Sequence, residues 1–460
     1  MSERRRIVHI WLELKNNTFK PLDYVGWPYG DFGESGSAGS TFEDSFIFSY
    51  SKYWKDQAIE RATRFGIKPE DLDGIFTLFD ETYTLDIPIG KLIEYLTVFY
   101  LGYFKFSLPE LPKLKITEST QKLAEKEQIT FYGKTYEKDC TYLRLAYEPV
   151  KNLKEFQIFP NLKSISLMQH NQDVQIEKIE YTQLFPHLES LFLFGNKISK
   201  IQNLHSLKNL KRLGIHNARL EKIENLDENA NLIELNLSVN QIKRIEGLNG
   251  LINLEKLNIA ENQIEQIANL STLGKLLNLD LHNNYIPAIE NLILLTSLKN
   301  LNLASNQIKK ISGLNYLTNL RDLNLYNNQI KDIDNLSNLR NLGRIMLGFN
   351  QISKIENLTG LEKLTWLDLN HNEITKLENL GNLPILEHLD LSENKINRLE
   401  NLENLKSLKD LYIWGNPIHE ITQSTYESLM NNHKIRLSME EMEYLSLSSF
   451  IDKYNIKIIE

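Results

Sequence analysis

The feature that most constrains this chain is a period of 22 residues. Asparagine recurs at Asn196, Asn240, Asn262, Asn284, Asn306, Asn328, Asn350, Asn372, Asn394 and Asn416, always separated by multiples of 22. Within that run only Ala218 replaces the anchor. Two weaker units precede it, anchored at His170 and Glu148, which makes about thirteen repeats. The unit Leu323 to Leu342 reads LNLYNNQIKDIDNLSNLRNL. Its Leu-x-Leu opening suits a short strand with alternate side chains in the core. The Asn that follows carries donors and an acceptor, so it can satisfy backbone groups of its own coil and its neighbour. Ala218 cannot, so that turn is expected to rely on water or backbone. After the anchor, Ile330, Ile333, Leu336, Leu339 and Leu342 fall at every third position, as in a return segment with three residues per turn. Seven residues past each anchor position from 196 to 394 stands Asn or Gly, the types that best tolerate a left-handed backbone. No single unit can bury its own apolar face, so the array must stack and be capped at both ends.

This pattern resembles the leucine-rich repeat family, and the 22-residue NxIxxIxxL spacing resembles its subclass found in a eukaryotic protein-phosphatase regulatory subunit. The resemblance covers about 280 of the 460 residues. It implies an α/β solenoid, a right-handed superhelix with a parallel sheet on its concave side, preceded here by a small α+β domain. Thirteen strands at about 4.8 Å spacing give a sheet on the order of 60 Å long. By analogy it implies a protein partner, a phosphatase-like or other signalling protein.

The repeats occupy residues 141–420. Residues 421–460, with a helix from about Gln423 to Asn431, form the expected C-terminal cap. Residues 108–140 are the expected connector and N-terminal cap, with a hairpin around Gly133. Residues 1–107 match no known family. RIVHIWLEL and FIFSY read as strands there, and KDQAIERATRF, KPEDLDGIFTLFDETY and IPIGKLIEYLTVFY as helices. Between them lies WPYGDFGESGSAGS, Trp27 to Ser40. It lacks the lysine of a phosphate-binding GxxxxGK[ST] loop and the spacing of GxGxxG, and Asp31 and Glu34 would repel phosphate. A solvated loop is the better reading.

Composition narrows the function. The formal net charge of -8 offers no electrostatic reason for nucleic acid as a partner. The single cysteine, Cys140, permits no intrachain disulfide, which favours a reducing, cytoplasmic setting. The opening residues lack the uninterrupted apolar run of a signal peptide, and no stretch is long and apolar enough to suggest a membrane span. Ten scattered histidines show no HExxH or paired CxxC pattern, so no metal, cofactor or thiol nucleophile is expected.

The outward strand positions can be read by register. One column runs from Phe192 through Gly214, Asn236, Asn258, Asp280, Asn302, Asn324, Met346, Asp368 and Asp390 to Tyr412. The next runs from Phe194 through His216, Ser238, Ala260, His282, Ala304, Tyr326, Gly348, Asn370 and Ser392 to Trp414. Aromatic residues are the common anchors of protein interfaces. Phe192, Phe194 and His216 at one end, and Tyr326, Phe349, Trp366, His371, Tyr412 and Trp414 at the other, are therefore the expected protein-binding residues. Asp368 and Asp390 join them. Adjacent on neighbouring strands, with His371 and His388 nearby, they could raise each other's pKa, hold a cation or receive a partner's basic side chain. A basic stripe four residues past the anchors (Lys200, Lys222, Arg244, Lys310, Lys354, Lys376, Arg398) has an acidic stripe beside it, and is read as solubility and weak ion pairs.

The expectation is a non-enzymatic protein-interaction scaffold or regulatory subunit that binds a folded partner on the concave face. The alternative is an enzyme whose catalytic centre lies in the N-terminal domain, built from residues such as His9, Asp23, Tyr24, Asp31 and Asp44, with the repeats selecting substrate. Extracellular adhesion, as in bacterial surface proteins with similar repeats, is a third reading, disfavoured by the missing signal and anchor.

Overall fold

A computed structural model describes three strands within residues 1–127, and residues 128–169, 174–431, 436–440, 443–445 and 447–460 beyond them. The chain divides into two compact units, Met1–Lys115 and Ile116–Glu460. In the first, strand β1 (His9–Lys15) pairs antiparallel with both β2 (Thr18–Pro21) and β3 (Ser45–Ser49). The strands read in RIVHIWLEL and FIFSY are thus hydrogen-bonded to each other. The three helices read between residues 55 and 100, the glycine stretch at 27–40, the connector residues up to 127 and the acids Asp23, Asp31 and Asp44 lie outside the described residues.

The second unit is a solenoid. Thirteen strands, from Tyr142–Ala146 through Asp410–Tyr412, lie parallel in one sheet, each joined to the next coil. In the regular repeats the register is one of 22: Leu323 pairs with Ile345, Ile345 with Leu367, and Leu367 with Leu389. Most strands are three residues long, because the chain must turn inward as soon as the second core leucine is placed. In the unit quoted above, Leu323, Leu325, Ile330, Ile333, Leu336, Leu339 and Leu342 are all buried. Each contributes roughly 2 kcal/mol of apolar burial. The return path has the expected three-residue pitch, with Leu339 N donating to Leu336 O and Leu342 N to Leu339 O, both at 2.9 Å.

The anchors bind as their chemistry predicts. Asn328 Nδ2 donates to Leu325 O of its own coil and to Leu303 O of the coil before, each at 3.0 Å. Its Oδ1 accepts from Ile308 N at 2.9 Å. At Ala218 the backbone bond from Arg219 N to Ile198 O survives, at 2.9 Å. The earlier unit departs from the expected anchor. His170 lies outside the described residues, and its neighbour Gln169, almost wholly buried, takes the anchor role. Gln169 Nε2 donates to Val150 O at 2.7 Å and its Oε1 accepts from Ile176 N at 3.2 Å. The extra methylene of glutamine lets it reach from one position earlier.

A second ladder runs along the return segments. Asn203, Asn225, Asn269, Asn291, Asn335, Asn357, Asn379 and Asn401 all have φ between 56° and 60°, the left-handed conformation expected of them. Each also donates Nδ2 to a carbonyl of the preceding coil; Asn335, for example, reaches Ile311 O at 2.8 Å. Gly313 has no side chain to do this, and the hydroxyl of Ser312 reaches Ile289 O at 3.2 Å in its place.

Both ends of the solenoid core are covered. The hairpin Gln128–Phe131 and Lys134–Glu137 turns at Tyr132 and Gly133, both at positive φ. Its Phe131 ring meets Phe156 and Phe159 edge-on at 5.7 and 5.4 Å. At the other end, helix α1 (Gln423–Asn431) buries Thr425 and Leu429, and helix α2 (Leu447–Tyr454) buries Leu447. The last strand, Lys457–Ile459, extends a three-stranded parallel sheet with Arg398–Leu399 and Glu420–Thr422. Among the described residues no helix is long and apolar enough to cross a membrane.

Candidate protein-binding face

The outward side of the long sheet is the surface that the fold leaves for function. Along the middle repeats it is small and polar. Asn236, Asn258 and Asn302 accept from the backbone two residues on, at Ser238, Ala260 and Ala304. Asp280 does the same for His282 and also contacts its Nδ1 at 2.8 Å. That contact is the largest of the causes that raise the His282 pKa.

At the N-terminal end Phe192 and Phe194 lie 5.6 Å apart, and His216 meets Phe194 edge-on at 5.7 Å. His216 Nδ1 is also 2.7 Å from Ser238 Oγ. A Cβ on Gly214 would stand 2.6 Å from the Phe192 ring. Glycine at this outward position therefore leaves the space that the ring occupies.

The C-terminal repeats carry the larger assembly. Tyr326 and Phe349 have ring centroids 5.0 Å apart, and Phe349 stacks on His371 at 3.8 Å with 13° between planes. His371 in turn meets Trp414 edge-on at 5.9 Å. A line of four rings thus joins residues drawn from four repeats. Phe349 and His371 come from the turn, with φ of 54° and 47°, which swings them beside Tyr326 and Trp414, each two residues past the end of its strand. Phe349 remains 39% exposed, so the line is open to a partner.

A second row crosses the sheet two outward columns earlier. Arg344 lies 4.5 Å over the Trp366 ring, Trp366 is 4.6 Å from His388, and His388 Nδ1 is 2.6 Å from Asp410 Oδ2. Sequence reasoning singled out Trp366 but missed Arg344 and Asp410. The signal was available: both share its register, since Arg344 pairs with Trp366 and Asp410 with His388.

Between the two rows, Asp368 pairs in register with Asp390. Asp368 is 6% exposed, and its carboxyl is pushed up to about 7, chiefly by burial, with Asp390 a lesser cause. The mutual repulsion expected of two carboxylates is therefore subordinate to desolvation. His371 and His388 are both close by but occupied otherwise, one in the ring line and one against Asp410. Tyr412 pairs with Asp390 and completes the column. Among the described residues no group of three or more metal-ligating side chains converges. Cys140 is half-buried, and burial with Asp139 and Glu137 pushes its thiol up to about 11, away from the reactive thiolate. Of the basic stripe, Arg398 alone among the described residues makes an ion pair, with Glu420 at 2.9 Å and Glu400 at 3.8 Å. The rest of the expected ladder of pairs does not form, because long solvated side chains gain little from meeting.

Comparison with known proteins agrees with this architecture. The family described as leucine-rich repeats (2 copies) matches residues 186–228, 230–272, 318–360 and 386–426. The crystal structure of an internalin (inlF) from Listeria monocytogenes is 27% identical with a TM-score of 0.59, covering 68% of this chain and 91% of that one. The leucine-rich repeat domain of APL1B is 20% identical with a TM-score of 0.55, covering 66% and 89%. A TLR13–ssRNA13 complex is 22% identical with a TM-score of 0.52, covering 64% and 50%. The last two likenesses speak to fold alone. No curated protein matches the chain. The thirteen parallel strands, the asparagine ladders and these likenesses make the repeat array of this chain a leucine-rich-repeat solenoid, a fold that generally serves protein–protein interaction.

Proposed function

We propose that the chain is a non-catalytic interaction module that holds a folded protein partner on the outward face of its sheet. The observation that carries this reading is the ring line from Tyr326 through Phe349 and His371 to Trp414, drawn from four of five successive repeats and partly exposed. Rigid aromatic groups on a preformed surface lose little entropy on binding and supply large contact area. Phe192, Phe194 and His216 form a smaller second contact, Trp366 and Tyr412 extend the first, and Asp368 and Asp390 give it polar specificity. A scaffold or regulatory-subunit role for a phosphatase-like or other signalling protein follows by analogy with the repeat subclass. The single cysteine favours a reducing compartment such as the cytoplasm. In this reading residues 141–420 bind, residues 108–140 and 421–460 close the ends, and residues 1–107 are a separate module.

The test compares the full chain with a Tyr326→Ala, Phe349→Ala, Trp366→Ala variant by affinity purification from native lysate. A partner retained by the first and lost by the second is expected, and that partner should slow hydrogen exchange across the strands at 322–414. Recovery of the same proteins with both would overturn the assignment of this face.

A further inference from the structure

The charges of the C-terminal outward face do not balance, and the imbalance is local. Asp322 pairs in register with Arg344, and Asp410 has His388 against it at 2.6 Å. Asp368 and Asp390, between these positions, make no ion pair among the described residues, and Arg344 is the smallest of the influences on the Asp368 carboxyl. Asp368 Oδ1 accepts only from Asn370 N, at 3.0 Å. Its Oδ2 receives no hydrogen bond among the described residues, although the side chain is 6% exposed. Asp390 spends Oδ1 on Ser392, N at 2.9 Å and Oγ at 2.6 Å, and its Oδ2 has a long contact with Asn370 Nδ2 at 3.4 Å. Arg344, the nearest cation, is laid over Trp366. Tyr326, at the start of the ring line, senses both carboxylates, for burial and their negative charge raise its pKa.

We infer that the Asp368–Asp390 pair, flanked by the Tyr326–Phe349–His371–Trp414 rings, is the receptor for one arginine side chain of the protein partner. This rests on the reading of the face as a protein-binding surface and adds the chemistry of the anchor. Carboxylates on adjacent strands lie about 4.8 Å apart at the backbone, a span that a guanidinium can bridge with its separate N–H groups. Its planar face can stack on the neighbouring rings, which a lysine ammonium does less well. The elevated Asp368 pKa agrees with a site that waits for a cation. With Asp390 beside it and Arg344 turned to Trp366, the buried carboxyl holds a proton near neutrality that an incoming guanidinium would displace.

The test needs no knowledge of the partner. The full chain is labelled with 5-fluorotryptophan, and the Trp366 and Trp414 signals are followed by fluorine NMR while N-acetyl-arginine amide is added to 100 mM. A saturable shift of these signals is expected. N-acetyl-citrulline amide, equal in shape but uncharged, should bind at least 5-fold more weakly, and N-acetyl-lysine amide should fall between. Asp390→Asn and Asp368→Asn, near-isosteric and checked for an unchanged melting transition at pH 6, should each lose the arginine shift by a similar factor. No shift, an equal response to citrulline, an equal response to lysine, or binding that survives both variants would overturn the arginine assignment. The two readings fail separately. If capture of a partner is lost with the triple alanine variant but kept with Asp368→Asn and Asp390→Asn, the face binds by its rings alone and the arginine receptor is wrong.

Discussion

The outward face of the middle repeats and that of the C-terminal repeats stand on the same frame and look nothing alike. Asn262 and Asn350 make matching sets of bonds. Asn262 Nδ2 donates to Leu237 O, Ile259 O and Ala260 O, and Asn350 Nδ2 to Leu325 O, Leu347 O and Gly348 O. Above the first lie Asn258 and Ala260; above the second lie Tyr326, Met346 and Phe349. In both regions the outward Asn or Asp accepts from the backbone two residues on, at Ala260 and Ala304 in the middle and at Tyr326, Asn370 and Ser392 toward the C-terminus. In the C-terminal repeats aromatic side chains add a line of ring contacts across strands, and polar atoms there are left unmet. Asn370 Oδ1 and His371 Nδ1 are buried there without a hydrogen-bond partner among the described residues. The difference teaches where to look for function in a repeat protein. Positions that serve the fold are uniform, and a cluster that is large, partly buried and incompletely satisfied has another purpose.

The comparison can be broken in several ways. The largest expected effect is on stability from the pH dependence of Asp368. Its folded-state pKa of about 7 lies above the ordinary aspartate value of 3.8. Between these values the folded state holds a proton that the unfolded state has released, so stability should fall as pH rises from about 4 to 7 and then level. At about 1.4 kcal/mol per unit the full contribution is at most roughly 4 kcal/mol. Asp368→Asn should flatten that slope in urea unfolding followed at several pH values, and a parallel slope in the variant would refute the burial argument.

Next come the anchors. Asn262→Ala and Asn350→Ala each strand two neighbouring-coil groups and should cost about 3 kcal/mol. If the frame is independent of the face above it, chemical denaturation will give equal losses at the two sites. A loss clearly greater at Asn350 would show that the aromatic assembly shares in holding the frame. Phe349→Ala, which removes a half-open ring stacked on His371, should cost about 1 kcal/mol in the same assay. The smallest effect belongs to the basic stripe. Lys310→Ser and Lys354→Ser should each stay within about 0.5 kcal/mol of the parent.

Much of this was legible without coordinates, because a 22-residue period leaves few arrangements. The two core leucines, the anchor bonds, the left-handed Asn or Gly and the three-residue return pitch each follow from a single chemical need repeated at one spacing. Even the adjacency of Asp368 and Asp390 is arithmetic on that register. What the reading missed has an equally physical origin. Gln169 replaces the expected anchor at 170 because one more methylene spans one more position, and an irregular unit gives no register from which to see it. The rows Arg344–Trp366–His388–Asp410 and Tyr326–Phe349–His371–Trp414 depend on rotamers and on a positive φ at 349 and 371. A column of letters carries neither.

The sequence by itself therefore determined the solenoid, its core and the register of every outward column, since burying apolar surface at a fixed period admits little else. Only the tertiary structure decided which outward residues cooperate. Ring stacking, the desolvation of Asp368 and the pairing of His388 with Asp410 depend on distances of a few ångströms between repeats, where identical spacing in sequence leads to contact in one place and to open solvent in another.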